Sequence, residues 1–144
     1  MDEEKINKLP PDVKKQFLKL GLKLSEKKTK TKVHEDFLSF VKHVWPEFIE
    51  GKHHKEISKK FNDIANKKIK RLIINMPPRH TKSEFASFLL PAWMVGRKPN
   101  LKIIQTTHTT ELAIRFGRKA KTLMDSQEYK EVFKTRLRED SQAA

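Results

Sequence analysis

The sequence predicts an α/β fold, in which N-terminal helices precede the first part of a parallel β-sheet. Two short apolar runs rich in β-branched residues, 71–76 and 101–106, are typical of buried strands. Apolar residues at helical spacing follow each run, which gives the order strand–loop–helix–strand–helix. Parallel strands joined by helical crossovers have this order, so the sequence predicts the opening part of such a sheet, and an incomplete one.

Helices are expected before the first strand. The Pro-Pro-Asp segment 10–12 is typical of a helix start, and apolar residues at helical spacing continue to about Ser25. The stretch 33–49 predicts a second helix, broken near Pro46, whose many aromatic residues favour packing into a core. The segment 53–66 predicts a third helix, because its apolar residues fall on one face.

Helical spacing returns after the first predicted strand. Residues 82–95 predict a helix that Pro91 kinks or ends. After this helix the sequence predicts a turn at 96–100 and then a helix capped by Thr109 or Thr110 that runs toward Met124. One or two further helical turns are predicted around Tyr129, Val132 and Phe133.

The composition narrows the function classes. The chain has 144 residues, about one domain, and its 32 Lys and Arg against 18 Asp and Glu give a net charge of +14 that is spread along the sequence. Such a field favours polyanionic partners but does not identify one. The absence of cysteine excludes disulfides, thiolate zinc sites and cysteine nucleophiles. No apolar run is long enough to span a membrane, so no membrane association is expected.

The charge pattern also suggests how the chain is divided. Residues 1–32 are interpreted as a basic helical leader, in which the lysine-rich run 27–32 is a solvated linker. Residues 33–144 are interpreted as the domain that holds the predicted sheet.

The loop after the first predicted strand carries the strongest chemical signal. Ligand sites in parallel sheets lie where strands end and helices begin. Residues 76–83 align with the phosphate-loop template of Gly, four residues, Gly, Lys and Ser or Thr, although Met76 and Thr81 replace its two glycines. Lys82 would bridge the β- and γ-phosphates, Ser83 would bind Mg²⁺, and the loop amides would surround the phosphates. Arg79 and His80 add donors to the same loop.

Thr81 is the unusual residue of this loop. A positive φ angle at its position would cost a β-branched residue about 1–2 kcal/mol. We expect the loop to avoid that conformation, because Pro77 and Pro78 already restrict how the chain enters it.

At this loop the sequence resembles the large terminase subunit of tailed bacteriophages, the ATPase that drives DNA into the procapsid. The run Asn75–Glu84 is similar to the Walker A segment of that family, and the likeness extends from Phe37 to the end of the chain. The resemblance implies a P-loop NTPase of the additional-strand, catalytic-glutamate type that uses ATP and Mg²⁺. It implies catalytic roles for Lys82 and Arg79 and a magnesium ligand in Ser83. The implied nucleotide-binding residues are Pro78, Arg79, His80, Thr81, Lys82, Ser83 and Glu84.

The resemblance also implies partners and a location. These are double-stranded DNA, the small terminase subunit, the portal and a homo-oligomeric ring, all in the host cytoplasm of a virus-encoded protein. The sequence departs from the family in lacking an apolar strand that ends in Asp-Glu and a carboxylate cluster for a nuclease. We therefore expect an N-terminal portion of a terminase, from truncation, a split gene or an incomplete frame, with weak or no ATPase activity alone.

Two other functions stay open. The chain could be a basic, non-enzymatic nucleic-acid-binding or adaptor protein whose phosphate loop is vestigial. A P-loop kinase or a sulfotransferase-like enzyme is less favoured, because acceptor-site motifs are missing. The pair His53 and His54 could lie near an adenine, but a plain pair on a helix surface is the stronger interpretation. Neighbouring residues do not share a helix face, so the pair is a weak zinc candidate.

Overall fold

The computed structural model describes residues 10–135, and all of the regular structure within this range is helical. The chain divides into two compact units, Met1–Thr31 and Lys32–Ala144. The helices are α1 (Pro11–Glu35), α2 (Phe37–Val44), α3 (Lys52–Ala65), α4 (Lys82–Glu84), a π-helical turn (Phe85–Leu89), α5 (Leu90–Arg97), α6 (Thr110–Asp125) and α7 (Gln127–Val132).

The predicted parallel sheet is wrong for residues 10–135, because neither 71–76 nor 101–106 forms a strand. The run 71–76 has the burial pattern of a strand, with alternate side chains half-buried, yet Ile73 is 85% exposed. In the second run Ile104 is 91% exposed. Alternating burial of side chains shows that one face of an extended segment is covered. A β-sheet also needs a neighbouring strand whose backbone completes the hydrogen bonds. The described part of the chain supplies none, so the all-α architecture replaces the predicted α/β class.

Helix α1 is longer than predicted. It does not end near Ser25 but continues to Glu35, so the lysine-rich run 27–32 is helical. Two hydroxyls inside that run donate hydrogen bonds to carbonyls one turn earlier, from Thr29 Oγ1 to Ser25 O at 3.0 Å and from Thr31 Oγ1 to Lys27 O at 2.9 Å. Threonines that bond back in this way fit within a helix, and lysine is a good helix former.

An aromatic cluster forms the core of the second unit. Phe37 is fully buried and its ring meets those of Phe61, Phe85 and Trp93 edge-on, at centroid distances of 5.1, 5.5 and 5.4 Å. Edge-to-face contacts of this kind stabilise aromatic pairs beyond their burial. The aromatic density of the predicted second helix therefore does mark a core element, although α2 ends at Val44, before Pro46.

A polar contact joins the start of α2 to the end of α3. Asp36 caps α2 by accepting a hydrogen bond from Ser39 N at 2.8 Å, and it also accepts one from Asn62 Nδ2 at 2.8 Å. Asn62 Oδ1 in turn accepts from Phe37 N at 2.9 Å. Burial by itself would raise the pKa of Asp36, but the hydrogen bonds from Ser39 and Asn62 lower it below its ordinary value.

The helical segment from Lys82 to Arg97 contains a π turn at Phe85–Leu89, in which Leu90 N donates to Phe85 O. Pro91 follows directly, and because it has no N–H it cannot complete the regular ladder, so a local change of winding is expected there. The predicted turn at 96–100 begins late, since Gly96 and Arg97 are still helical.

Gly96 permits the closest packing in the core. A Cβ atom on this residue would lie 2.7 Å from the ring of Phe133 and from the hydroxyl of Tyr129. That hydroxyl donates a hydrogen bond to Ala92 O at 2.9 Å, and burial raises the pKa of Tyr129. Gly96 thus lets α7 and the residue after it rest directly on α5.

The predicted extent of α6 is confirmed, and so are the helical turns around Tyr129 and Val132, whereas Phe133 is extended rather than helical. Thr109 caps α6 by accepting a hydrogen bond from Leu112 N at 3.3 Å, and the helix runs through Met124 to Asp125. Ser126 caps α7, which holds Tyr129 and Val132. Both caps follow the usual preference for a hydroxyl at the residue before a helix.

Candidate functional site

The loop that precedes α4 has two residues in the left-handed region of backbone space. Arg79 has a φ of 64° and Thr81 a φ of 57°. The expectation that Pro77 and Pro78 would spare Thr81 this conformation is therefore wrong. The prolines fix their own φ angles only, whereas the entry into α4 is made three residues later. Thr81 adopts the conformation for which the template uses glycine.

Two short hydrogen bonds engage the side chain of Thr81, one to α3 and one within the loop. The hydroxyl Oγ1 of Thr81 lies 2.7 Å from Nε2 of His54 and donates to the carbonyl of the preceding residue, His80 O, also at 2.7 Å. Since a left-handed threonine costs about 1–2 kcal/mol, two short hydrogen bonds of about 1 kcal/mol each are of the right size to offset it. The strain is thus balanced by side chains rather than avoided by the backbone.

The favoured interpretation of His54 as a residue of a helix surface is wrong, because the structure buries it beside the loop. It is only 6% exposed, and its ring lies against those of Phe48 at 4.7 Å and Phe85 at 5.1 Å. Burial lowers the pKa of His54, and neighbouring His53 lowers it further, while Glu50 opposes them. A signal was present in the sequence: the buried residues of α3 follow one helical stripe with steps of four, three and four, His54, Ser58, Phe61 and Ala65.

The two adjacent histidines approach each other more closely than predicted. His53 Nε2 and His54 Nε2 are 2.9 Å apart, and their ring centroids are 3.8 Å apart. The prediction that neighbours on a helix diverge is wrong here, because both rings fold back over Gly51, where a Cβ would lie 2.8 Å from the His53 ring. Within residues 10–135 no group of three or more His, Cys, Asp or Glu side chains could hold a metal ion.

The lysine of the loop turns back toward its start. Lys82 Nζ donates a hydrogen bond to Met76 O at 3.4 Å, so the ammonium group spans the loop from the first residue of the template to the seventh. Ser83 follows and is exposed. Thr81 makes no side-chain cap to α4, and the first N–H in this region with a backbone partner is that of Phe85, which donates to Thr81 O at 3.0 Å. Uncapped N–H groups at a helix start favour an anion.

The other predicted loop residues differ in their surroundings. Pro78 and Arg79 are exposed, and the Pro78 carbonyl accepts a hydrogen bond from His80 Nδ1 at 2.9 Å. The His80 ring lies 5.5 Å from that of His53, so this loop residue is close to the histidine pair of α3. Glu84 points to α6 instead, where its two oxygens lie 2.7 and 2.9 Å from Lys119 Nζ. That ion pair gives Glu84 a structural role in joining two helices.

A cavity of about 510 Å³ adjoins the beginning of the loop. It lies between α3, through His53 and Ile57, and the extended run from Leu72 to Met76. A larger cavity of about 1030 Å³ borders α6 and contains no residue of the loop. The cavity of about 510 Å³ is therefore within reach of a ligand held at the loop.

No protein-family model, curated protein or solved structure matches this chain. Among residues 10–135 there is also no helix with the length and the apolar character needed to cross a membrane. The interpretation of the loop accordingly depends on its own geometry and chemistry.

Proposed function

We propose that the loop 76–83 binds the phosphate groups of ATP with Mg²⁺, and that the chain is the nucleotide-binding part of a viral DNA-packaging motor of the large-terminase kind. The observation that carries this proposal is the left-handed Thr81 next to Lys82 at an uncapped helix start. A threonine held in a glycine conformation, against its own preference, indicates that the backbone shape of the loop serves a purpose.

Each loop residue has a distinct part in this proposal. Lys82 Nζ, held weakly by Met76 O at 3.4 Å, would exchange that carbonyl for phosphate oxygens. Ser83 would supply a hydroxyl ligand to Mg²⁺, which is compatible with its exposure. Arg79, also exposed, would offset charge on the terminal phosphate. Glu84 is left out of the phosphate contacts, because Lys119 engages both of its oxygens.

Binding, rather than turnover, is the expected activity. Hydrolysis needs a carboxylate that orients water, and the 144-residue sequence has no apolar segment ending in Asp-Glu. The net charge of +14 supports double-stranded DNA as the further partner. By resemblance to the family, the proposal also includes a small terminase subunit and a portal as partners, a ring of copies of this chain as the assembly, and the host cytoplasm as the location.

Titration of the chain with ATP and Mg²⁺ by calorimetry tests the proposal. Lys82→Ala is expected to weaken binding at least about tenfold, because a charge-assisted hydrogen bond to phosphate is lost. Lys59→Ala is the matched control, since Lys59 is an exposed lysine of α3 whose ion pair with Glu56 lies in solvent. Equal affinity in the two variants, or no binding by the wild-type chain, would contradict the proposal.

The second candidate is a basic nucleic-acid-binding or adaptor protein without nucleotide chemistry. The all-α structure of residues 10–135, with its positive charge distributed over many surface lysines, favours this candidate. It predicts duplex binding that weakens steeply with salt and is unaffected by ATP and by Lys82→Ala. The same two variants therefore separate the candidates in one set of titrations.

A further inference from the structure

We propose that His54 is a positioning residue for the phosphate loop, and that its neutral imidazole holds Thr81 in the left-handed conformation for which glycine is otherwise used. The loop is then competent only while His54 is unprotonated. The consequence for ATP rests on the function proposed above, whereas the effect on the conformation of Thr81 does not depend on any ligand.

The hydrogen bonds around His54 define one tautomer. Gly51 N donates to His54 Nδ1 at 2.9 Å, so Nδ1 must carry the lone pair and the ring proton of the neutral form must lie on Nε2. Nε2–H then donates to Thr81 Oγ1 at 2.7 Å. Because Thr81 Oγ1 donates its own proton to His80 O, it can accept the bond from His54. The bonds thus run in one direction, from the start of α3 to the loop.

The same tautomer excludes a metal ion as the purpose of the histidine pair. A metal bound at His54 Nε2 would need the lone pair there, and the proton would then move to Nδ1, against Gly51 N–H. His54 Nε2 carries a single proton, which is directed to Thr81 Oγ1 at 2.7 Å, so His53 Nε2 at 2.9 Å can at most share it as a second acceptor. Positioning by hydrogen bonds is therefore the use that the geometry favours.

Protonation of His54 would break the hydrogen bond that Gly51 N donates to His54 Nδ1. A proton on Nδ1 would face the N–H of Gly51, so two donors would oppose each other and Gly51 N–H would lose the acceptor that the His54 ring provides at the start of α3. The charged ring would also lie between the apolar faces of Phe48 and Phe85. The charged and titratable groups that act on it are His53, His80 and Glu50.

Those groups set the direction of the pH dependence. Burial, His53 and His80 lower the pKa of His54 from 6.5, and Glu50 opposes them. His54 therefore stays neutral in the folded protein at neutral pH. The hydrogen bonds from Gly51 to His54 and from His54 to Thr81 are complete above the ordinary imidazole pKa. They are lost as the pH falls below the pKa of His54 in the folded protein.

Two substitutions separate the two bonds of His54. In His54→Asn, Oδ1 takes the place of Nδ1 and keeps the bond from Gly51, but nothing reaches Thr81. In His54→Gln, the side-chain amide can still donate to Thr81, while the acceptor for Gly51 is lost. Thr81→Val removes the hydroxyl at nearly constant shape. We expect His54→Gln to retain the loop conformation, and His54→Asn and Thr81→Val to lose it.

NMR of the full chain without nucleotide provides the first measurement. The ¹⁵N shifts of the His54 ring report the tautomer, and the ¹³Cα and ¹³Cβ shifts of Thr81 report its φ region. The proposal expects the Nε2–H tautomer at pH 7.5 and a joint change of both residues on acidification. A Nδ1–H tautomer, or Thr81 shifts that ignore the charge on His54, would overturn it.

ATP–Mg²⁺ titrations from pH 8 down to the pH at which the ring shifts report a charged His54 provide the second measurement. His54→Asn is expected to weaken binding at pH 8 about tenfold, equivalent to about 1.4 kcal/mol, and to remove the part of the pH dependence that follows the charge on His54. In a Thr81→Gly background the same substitution should have little effect, because glycine adopts the conformation unaided. Lys59→Ala is the control: this exposed lysine of α3 lines neither the loop nor the adjoining cavity, so the affinity and the pH midpoint should stay at their wild-type values.

The two measurements keep the failures apart. If the wild-type chain does not bind ATP but the NMR coupling between His54 and Thr81 is present, the proposed function fails and the positioning role stands. If ATP binds equally well to His54→Asn and to the wild-type chain at all pH values, the positioning role fails and the proposed function stands. Equal losses from His54→Asn in the wild-type and Thr81→Gly backgrounds would also overturn the positioning role.

Discussion

The aromatic core and the loop 76–83 differ in the kind of contact that accompanies their conformation. In the core, Phe37 and its neighbouring rings are buried and pack edge-on against one another. In the loop, Thr81 is strained and is held by a histidine 27 positions earlier in the chain. The comparison teaches that apolar packing gives this protein its stability, whereas a few directed polar contacts give the loop its shape.

The two regions meet on α3, and a titratable group takes part in the contact with each of them. Its N-terminal end provides His54 to the loop, and its C-terminal end provides Asn62 to Asp36 and the core. The first contact depends on an imidazole and the second on a carboxylate, and the fold lowers the pKa of both groups from their ordinary values of 6.5 and 3.8.

The largest effect is expected from Phe37→Ala. Removal of a buried phenylalanine from an aromatic cluster lowers the free energy of unfolding by about 3–5 kcal/mol, through lost burial and the cavity left behind. Urea denaturation followed by circular dichroism measures this loss. If the variant does not fold, Phe37→Leu, with a loss of roughly 1–2 kcal/mol, keeps the comparison measurable. A change below about 1 kcal/mol in both variants would show that the core is not where stability lies.

Gly96→Ala should have the next largest effect. The added Cβ would lie 2.7 Å from the Phe133 ring and the Tyr129 hydroxyl, so α5 and α7 must separate. We expect a loss of about 1–3 kcal/mol in the free energy of unfolding, with the far-UV spectrum preserved. Gly117→Ala is the matched control, because a Cβ at Gly117 meets nothing within 4 Å. It should stabilise α6 slightly.

Asp36→Ala is expected to cost about 1 kcal/mol at pH 7 through loss of the cap on α2. Since the folded state lowers the pKa of Asp36, this contribution is complete above the ordinary aspartate pKa of 3.8 and disappears as the pH falls through the lower folded value. Unfolding titrations at pH 7 and pH 3 should show the difference between wild type and variant shrinking in acid. A difference that stays constant would contradict the assignment.

Thr81→Gly should change stability least, by less than about 1 kcal/mol, because relief of the left-handed strain and loss of two hydrogen bonds nearly cancel. Thr81→Ala removes the hydroxyl without relieving the strain, so it should be the less stable of the two. Thermal denaturation of the pair measures the difference. If Thr81→Ala is as stable as Thr81→Gly, the strain at this residue is not significant.

Much of the helical structure could be predicted from the sequence. The helical spacing of apolar residues and the cap residues located α3, α6 and α7 closely. An amphipathic helix forms its hydrogen bonds within itself, so its position depends mainly on its own sequence. The runs 71–76 and 101–106 were wrongly predicted as strands, because strand pairing depends on a neighbour that no local pattern specifies. The prolines at 77 and 78 similarly gave no information about Thr81.

The loop itself was located by sequence, but its support was not. The order of Lys82 and Ser83 after a short loop is a local feature, and it identified the candidate phosphate site directly. Glu84 was included in that site, whereas its partner Lys119 lies on another helix. His54 was treated as a surface residue, because only folding brings α3 against the loop.

The sequence by itself determined which segments are helical, which residues are apolar enough to form a core and where a lysine and a hydroxyl follow a short loop. These properties depend on residues within one or two helical turns along the chain, so the local sequence specifies them. Tertiary structure alone decided that the extended runs stay unpaired within residues 10–135, that Thr81 takes the left-handed conformation and that His54 holds it there. Those outcomes depend on contacts between distant parts of the chain, whose energies no local pattern contains.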